Sequence, residues 1–446
     1  MFIIKSISEY LQELSELKVN ELLNVVCFII TIIAAVYSTW LFSTSQFKKI
    51  RYKKEERFLT RYKRISKLSG EFTNKMFNHY LKKYNSELAG KTEDEKENSG
   101  LIIHKDWEIN FDGLELDRIN VIGNNGTANI EEAELNLSRY EKLRNRRIRR
   151  KLRKRYPQKK NGYALNIIQY VEGKNLFNGD CFAVADIKKT EDNKSIDLVV
   201  YKTDYFSFVD SCKALEFKYS VKKQRRKPDI DIFDFTNRSA TIGVNCLTLF
   251  PNITVISKKG IKEKKNFLIL HKRNSAVMES PNTFHVVPAG SFQPIKTMNK
   301  KEVSNEFNKN LSNTVYREFC EEILHTNHMS ELVSIDLITS SDDYIKTKDN
   351  SKIYYLGVGL EPFNTKVEVL ALMVYKFNKE TSLDELKNFL KIGGSDDDKE
   401  NEGKIIIEEY TKPVIEQYWG TTNITPSSKE IFKKVYENYD KINKLL

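Results

Sequence analysis

The hydrophobic and polar positions follow different rhythms along the chain. Residues 22–42 (LLNVVCFIITIIAAVYSTWLF) form an uncharged apolar run. At about 1.5 Å per residue, a helix over this run covers roughly 30 Å, the thickness of a hydrocarbon core. The run predicts one transmembrane helix, with Tyr37 and Trp40 near one end at interface depth. Acidic residues precede it and no small-x-small pattern follows, which argues against a cleaved signal peptide. Before it, Ile4, Ile7, Leu11, Leu14 and Leu17 recur at helical spacing, predicting a short amphipathic segment over 1–21. After it, apolar residues recur every three or four positions from 46 to about 88, predicting one or two stalk helices. Residues 91–100 (KTEDEKENSG) read as a linker.

From Ala164 the rhythm shortens to β-rich runs: FAVADI, IDLVVYKT, FSFVD, NITVIS, NFLILHKR, FHVVPAG, IYYLGVGL and VEVLALMVYKF. One helix is predicted over about 310–325, and another after Thr425, opened by Pro426. The predicted class is α+β. The chain divides into 1–21, the span at 22–42, a basic stalk and linker at 43–100, a β-rich extension at 101–240 and a main domain at 241–446.

Charge sets the orientation. Residues 1–21 carry Lys5 and Lys18 against Glu9, Glu13, Glu16 and Glu21. The other flank carries Lys48, Lys49, Arg51, Lys53, Lys54, Arg57, Arg61, Lys63, Arg64 and Lys67 against Glu55 and Glu56. Positive flanks stay cytoplasmic, so the chain after the span is expected inside a cell inner membrane, in single-pass form. The same cluster suits anionic headgroups, making membrane lipid an expected partner.

Composition narrows the rest. A hydrophobic content of 40% and an aromatic content of 11% support a packed core rather than disorder. The net charge of +12 is local, held by the juxtamembrane cluster and by residues 142–160. That second basic segment lacks interleaved aromatic residues, so it reads as a solvated helix face or membrane-surface patch rather than a nucleic-acid arm. Five scattered cysteines with no CxxC pair argue against a zinc site or a disulfide framework. His271, His285, His325 and His328 show no ligand spacing, His285 reads as a strand residue, and Cys320 as a small core residue.

The chemistry-bearing stretch is REFCEEIL, residues 317–324. Leu311, Val315, Phe319 and Ile323 form one apolar helical stripe, while Glu318, Glu321 and Glu322 fall together on another face. Three neighbouring carboxylates repel unless they are solvated, paired with a base such as Arg317, or bridged by a divalent cation. Oxygen donors of this kind suit Mg²⁺ or Mn²⁺.

This stretch resembles the R-E-U-x-E-E core of the Nudix box, and VVPAG (286–290) resembles the strand and turn that open it. The likeness extends over residues 233–238, 244–249, 286–294, 311–324 and 357–362. It is to a divergent bacterial Nudix-like family, a subset of which joins the domain to N-terminal membrane helices. The resemblance implies a Nudix-like α/β/α sandwich with a β-rich N-terminal extension. It implies metal ligation by Glu318, Glu321 and Glu322, catalytic roles for Glu321 and Glu322, and a salt bridge from Arg317 that orients them. It also implies ligand binding by Arg238, Gly290, Phe292 and Arg317; for Asn237 and Arg238, contact with phosphate and a loop-fixing hydrogen-bond role stand as alternatives. A further acid is expected from Glu361 or Glu368. Three departures weigh against hydrolysis: the insert after Gly290 is longer than the box allows, Lys309 stands where the box places a glutamate, with Glu302 and Glu306 the nearest, and Leu324 stands at its late glycine. The membrane-linked subset is similar to effectors of cyclic-oligonucleotide-based antiphage signalling systems (CBASS). The resemblance therefore implies a homo-oligomeric antiviral-defence effector that binds a cyclic nucleotide and disrupts a membrane. The alternative is a Mg²⁺-dependent Nudix hydrolase of a nucleoside diphosphate derivative, tethered to the membrane.

Overall fold

The computed structural model describes residues 23–46, 69–89, 100–123, 178–213, 231–236, 238–273, 282–294, 310–324, 341–392 and 403–446. The predicted 1–21 segment, the basic segment at 142–160, most of the stalk and the acidic insert, Asn237, Glu302, Glu306, Lys309, His325 and His328 lie outside them. The chain forms two compact units, Met1–Lys67 and Leu68–Leu446.

In the first unit, helix α1 spans Leu23–Gln46 and is long and apolar enough to cross a membrane. It runs four residues beyond the apolar stretch because Ser43 and Thr44 donate back to the carbonyls of Trp40 and Leu41 at 3.0 and 2.9 Å. Inside the apolar stretch, Thr31 donates to Cys27 O and Thr39 to Ala35 O, both at 2.8 Å. These hydroxyls satisfy themselves within the helix, the condition for polar atoms in an apolar span.

The second unit is a mixed α+β body. Its larger sheet has seven strands: β4 (Ile242–Ile256), β5 (Lys262–Arg273), β6 (Phe284–Val286), β7 (Ala289–Ser291), β8 (Ser351–Leu360), β9 (Val367–Tyr375) and β10 (Gly403–Glu409). The main path runs β10-β5-β4-β9-β8, with β6 added to β5 and β7 to β4. Among the described strands of this sheet, β4 and β9 are the pair that runs in parallel, from Ile242↔Val367 to Leu249↔Val374. Both are buried on both faces along most of their length, as central strands covered on both sides are.

Strand alternation sends Leu247, Leu249, Leu370 and Leu372 to one face. They pack against helices α6 (Lys412–Gly420), α7 (Pro426–Glu437) and α8 (Tyr439–Asn443) through Ile415, Tyr418, Ile431, Phe432, Val435 and Ile442. The opposite face carries Phe250 and Tyr375. It is covered by α3 (Leu311–Glu322), whose Phe319 stacks on Tyr375 at 5.6 Å, and by α5 (Leu383–Phe389) through Phe389. Helix α4 (Asp342–Asn350) packs beside α3, where Tyr344 donates to Asn313 Oδ1 at 2.8 Å.

The extension adds helix α2 (Ser69–Tyr84) and a three-stranded sheet ordered β1-β3-β2, from Asn120–Gly123, Ile196–Asp204 and Asp180–Lys189. Residue 240 is not a physical boundary. Leu101, Ile103 and Phe111 enter the core of the larger sheet, and the Gly100 N–H donates to Glu430 on α7 at 2.8 Å. The run FSFVD, expected as a strand, is helical instead. The Asp204 carboxylate accepts the Ser207 N–H at 2.8 Å and starts a helical turn over Tyr205–Phe208.

Candidate functional site

Helix α3 begins where the Asn310 side chain accepts the Ser312 N–H, and its apolar stripe is fully packed: Leu311, Val315, Phe319 and Ile323 are buried. That packing fixes the rotation of the helix and holds Arg317, Glu318, Glu321 and Glu322 half-buried along its flank.

Arg317 sits between two of the three carboxylates. It donates to Glu318 Oε1 at 2.5 Å and to both oxygens of Glu321 at 3.2 and 3.1 Å. Burial disfavours its charge, but Glu318 and Glu321 overcome that penalty and leave its pKa above the ordinary value. Glu322 points elsewhere: its Oε2 accepts the backbone N–H of Ala289 at 2.9 Å.

The strand and turn before the helix supply the other wall. Val287–Pro288 is a cis peptide, and the carbonyls of these residues accept from Thr248 Oγ1 and Cys246 N, both at 2.9 Å. Next, Ala289–Ser291 pairs with β4, placing Gly290 opposite Val244 and directly under the Glu318 side chain. Any Cβ at position 290 would overlap the Glu318 carboxylate, so glycine is required for this approach.

Neither a protein-family model nor a curated relative matches the chain.

Several expected site residues are placed differently. Phe292 was expected to bind ligand and is instead core: it is buried against Phe182 at 4.8 Å, and its carbonyl accepts the Phe182 N–H, joining β2 to the main body. Arg238, expected either to bind ligand or to fix its loop by hydrogen bonds, does the second. Its guanidinium donates to the carbonyls of Asp231, Ile232 and Asp234 and lies over the Phe235 ring. Gly290, expected at the ligand, cradles Glu318. Arg317 does form the salt bridges that the resemblance implies.

Neither proposed extra acid joins the glutamates of α3. Glu361 accepts the N–H groups of Phe363 and Asn364 at 2.9 and 2.7 Å, closing the turn after β8. Glu368 shares the α7 face of the sheet with Leu370 and Leu372, while α3 covers the other face. Its partners are Asn245 at 2.6 Å and Lys366 at 3.4 Å.

Among the described residues, no group of three or more His, Cys, Asp or Glu side chains is arranged to hold a metal ion. The donors expected for Mg²⁺ or Mn²⁺ do not fit one as they stand. Glu318 and Glu321 both bond Arg317 and Glu322 bonds a backbone amide, so the three carboxylates are directed at two different partners rather than at one shared point. The role of the Ala289 N–H had no sequence signal, because a backbone donor is the same in every residue but proline.

Proposed function

We propose that this chain is a membrane-anchored, homo-oligomeric effector of a CBASS-type antiphage system, whose Nudix-like body binds a cyclic nucleotide and responds by disrupting the membrane. In this reading α1 is a single-pass inner-membrane anchor and the body is cytoplasmic. The observation that weighs for binding over hydrolysis is Lys309, which stands where the box places a glutamate; the Arg317 salt bridges are common to both readings. Helices on both faces of a mixed sheet, and the α3 glutamates packed against a strand-turn glycine, support a Nudix-like fold.

The test is membrane potential in cells expressing the full chain, with and without candidate cyclic di- and trinucleotides. Depolarisation with one class of cyclic nucleotide, retained in Glu322→Gln, is expected. Unchanged potential across all candidates would overturn the reading. Mg²⁺-dependent release of phosphate products by the purified chain, lost in Glu322→Gln, would establish the tethered hydrolase instead.

A further inference from the structure

Strands β4 and β5 run out into a hairpin whose tip carries an arrangement that the proposed nucleotide site does not use. Pro251 and Asn252 form a bulge in β4: the register shifts between Phe250 and Ile253, and Asn252 adopts φ 59°. Beyond it the strands pair as far as Ile256↔Lys262 and close through a tight turn. Gly260 N donates to Ser257 O and Ser257 N to Ile261 O, both at 2.9 Å, and Ser257 Oγ accepts the Ile261 N–H at 3.1 Å. Gly260 sits at φ 74°, a conformation that this turn requires and that glycine adopts without strain. The tip is therefore a built, hydrogen-bonded structure.

Its side chains pair two properties. Ile256 and Ile261 are 67% and 57% exposed, the two most exposed large apolar side chains outside α1 among the described residues. Around them Lys258, Lys259, Lys262 and Lys264 are exposed, with Glu263 the only acid between 256 and 264. The next lysine, Lys265, is paired with Glu409 at 2.9 Å. Apolar tips ringed by lysine match an anionic bilayer surface: the isoleucines reach acyl chains while the ammonium groups stay among phosphates.

We propose that the β4–β5 hairpin is a second membrane contact, inserting Ile256 and Ile261 into the anionic leaflet of the bilayer that α1 spans. The inference rests on the anchored reading of α1. The tether raises the local concentration of this weak contact, so a tip too small to bind a membrane alone can dock when held beside one.

The test uses the full chain in lipid nanodiscs, of phosphatidylcholine alone or with phosphatidylglycerol, and reads hydrogen exchange across residues 254–264. Exchange is expected to slow at least tenfold in the anionic discs and to recover at high salt. Each lysine near an anionic surface changes the docking equilibrium constant by about fivefold, so Lys258→Gln with Lys259→Gln should lower that constant roughly 25-fold and remove most of the protection. Ile256→Ser with Ile261→Ser should release the tip while leaving the body's exchange unchanged. Equal exchange in both lipids would overturn the proposal. So would slowing that ignores lipid charge and both variants. Failure of the anchored reading looks different: the chain would not stay in the discs at alkaline pH, whereas an undocked hairpin leaves disc residence intact.

Discussion

The carboxylate of Glu322 accepts the backbone N–H of Ala289 at 2.9 Å, tying the last turn of α3 to the first residue of β7. A glutamine at 322 keeps an acceptor there, whereas an alanine leaves the amide without one. Thermal unfolding of the full chain in detergent should show Glu322→Gln near wild type and Glu322→Ala destabilised by about 1–2 kcal/mol. An alanine variant as stable as wild type would mean that this tie contributes nothing to the fold.

Gly290→Ala should destabilise by about 1–3 kcal/mol, because the added methyl group occupies the place of the Glu318 carboxylate. The strain is specific to that pair. In a double-mutant cycle, Glu318→Ala should restore much of the loss, with a coupling of about 1 kcal/mol or more. Additive effects would show that the glycine is required by something other than Glu318.

His285 gives the body a pH dependence. Its ring is buried, with Nδ1 at 2.8 Å from Ser428 Oγ and 3.1 Å from Thr425 Oγ1. Burial holds its pKa well below the ordinary 6.5, helped by the charges of Arg273, His271 and Lys366. A depressed pKa means that the unfolded chain takes up a proton that the folded chain refuses. Stability is therefore fully present above about 6.5 and declines as the pH falls towards the folded-state value. One such proton contributes a slope of about 1.4 kcal/mol per pH unit. Denaturation midpoints between pH 7 and 5 (chosen to bracket about 6.5) should fall less steeply in His285→Gln than in wild type, and equal slopes would show that His285 is not the group responsible.

Thiol labelling reads the placement of α1. Cys27 is exposed on that helix, while Cys181, Cys212, Cys246 and Cys320 are buried. Burial also pushes the Cys181 and Cys320 thiols up to about 12, so neither forms thiolate at neutral pH. Intact-mass analysis of native membranes treated with an impermeant maleimide should find no label, and denatured chain should carry it on every cysteine. Labelling of Cys27 in intact membranes would place it in water and argue against a spanning α1. A reporter fused after Leu446 checks the orientation, with cytoplasmic activity expected.

What was legible in the sequence shares a physical character. Helices α1, α3 and α7 announce themselves by long periodic runs and by their starts, Asn310 capping α3 and Pro426 opening α7. Helices α4, α5 and α6 have nine, seven and nine residues, too short for periodicity to stand out. The helical turn at Tyr205–Phe208 was misread because its aromatic alternation imitates a strand, and the capping role of Asp204 outweighs it. The parallel pairing of β4 with β9 could not be read at all, since both strands are buried on both faces and far apart in sequence.

The site was legible only in part for a related reason. Helical spacing alone groups the three glutamates of α3, but it says nothing of what each carboxylate meets. Ligand contact by Phe292 and Arg238 is what the family resemblance implies, and nothing in their spacing tells what each side chain meets. Their actual partners, Phe182 and the carbonyls of the loop from Asp231 to Asp234, belong to the packing of the extension on the main sheet.

The order in which these elements leave the ribosome gives the topology a consequence for biogenesis. Strand β4 emerges with both faces apolar, yet its parallel partner β9 and the cover from α7 come much later in the chain. At about 5–20 residues per second, that delay is on the order of ten seconds, during which α1 has already reached the bilayer under the proposed anchoring. A half-made body would wait at the membrane with a long sticky strand bare. Translation stopped before α7 would then leave an anchored, unsheathed sheet, a seed for aggregation on the membrane rather than a smaller working protein.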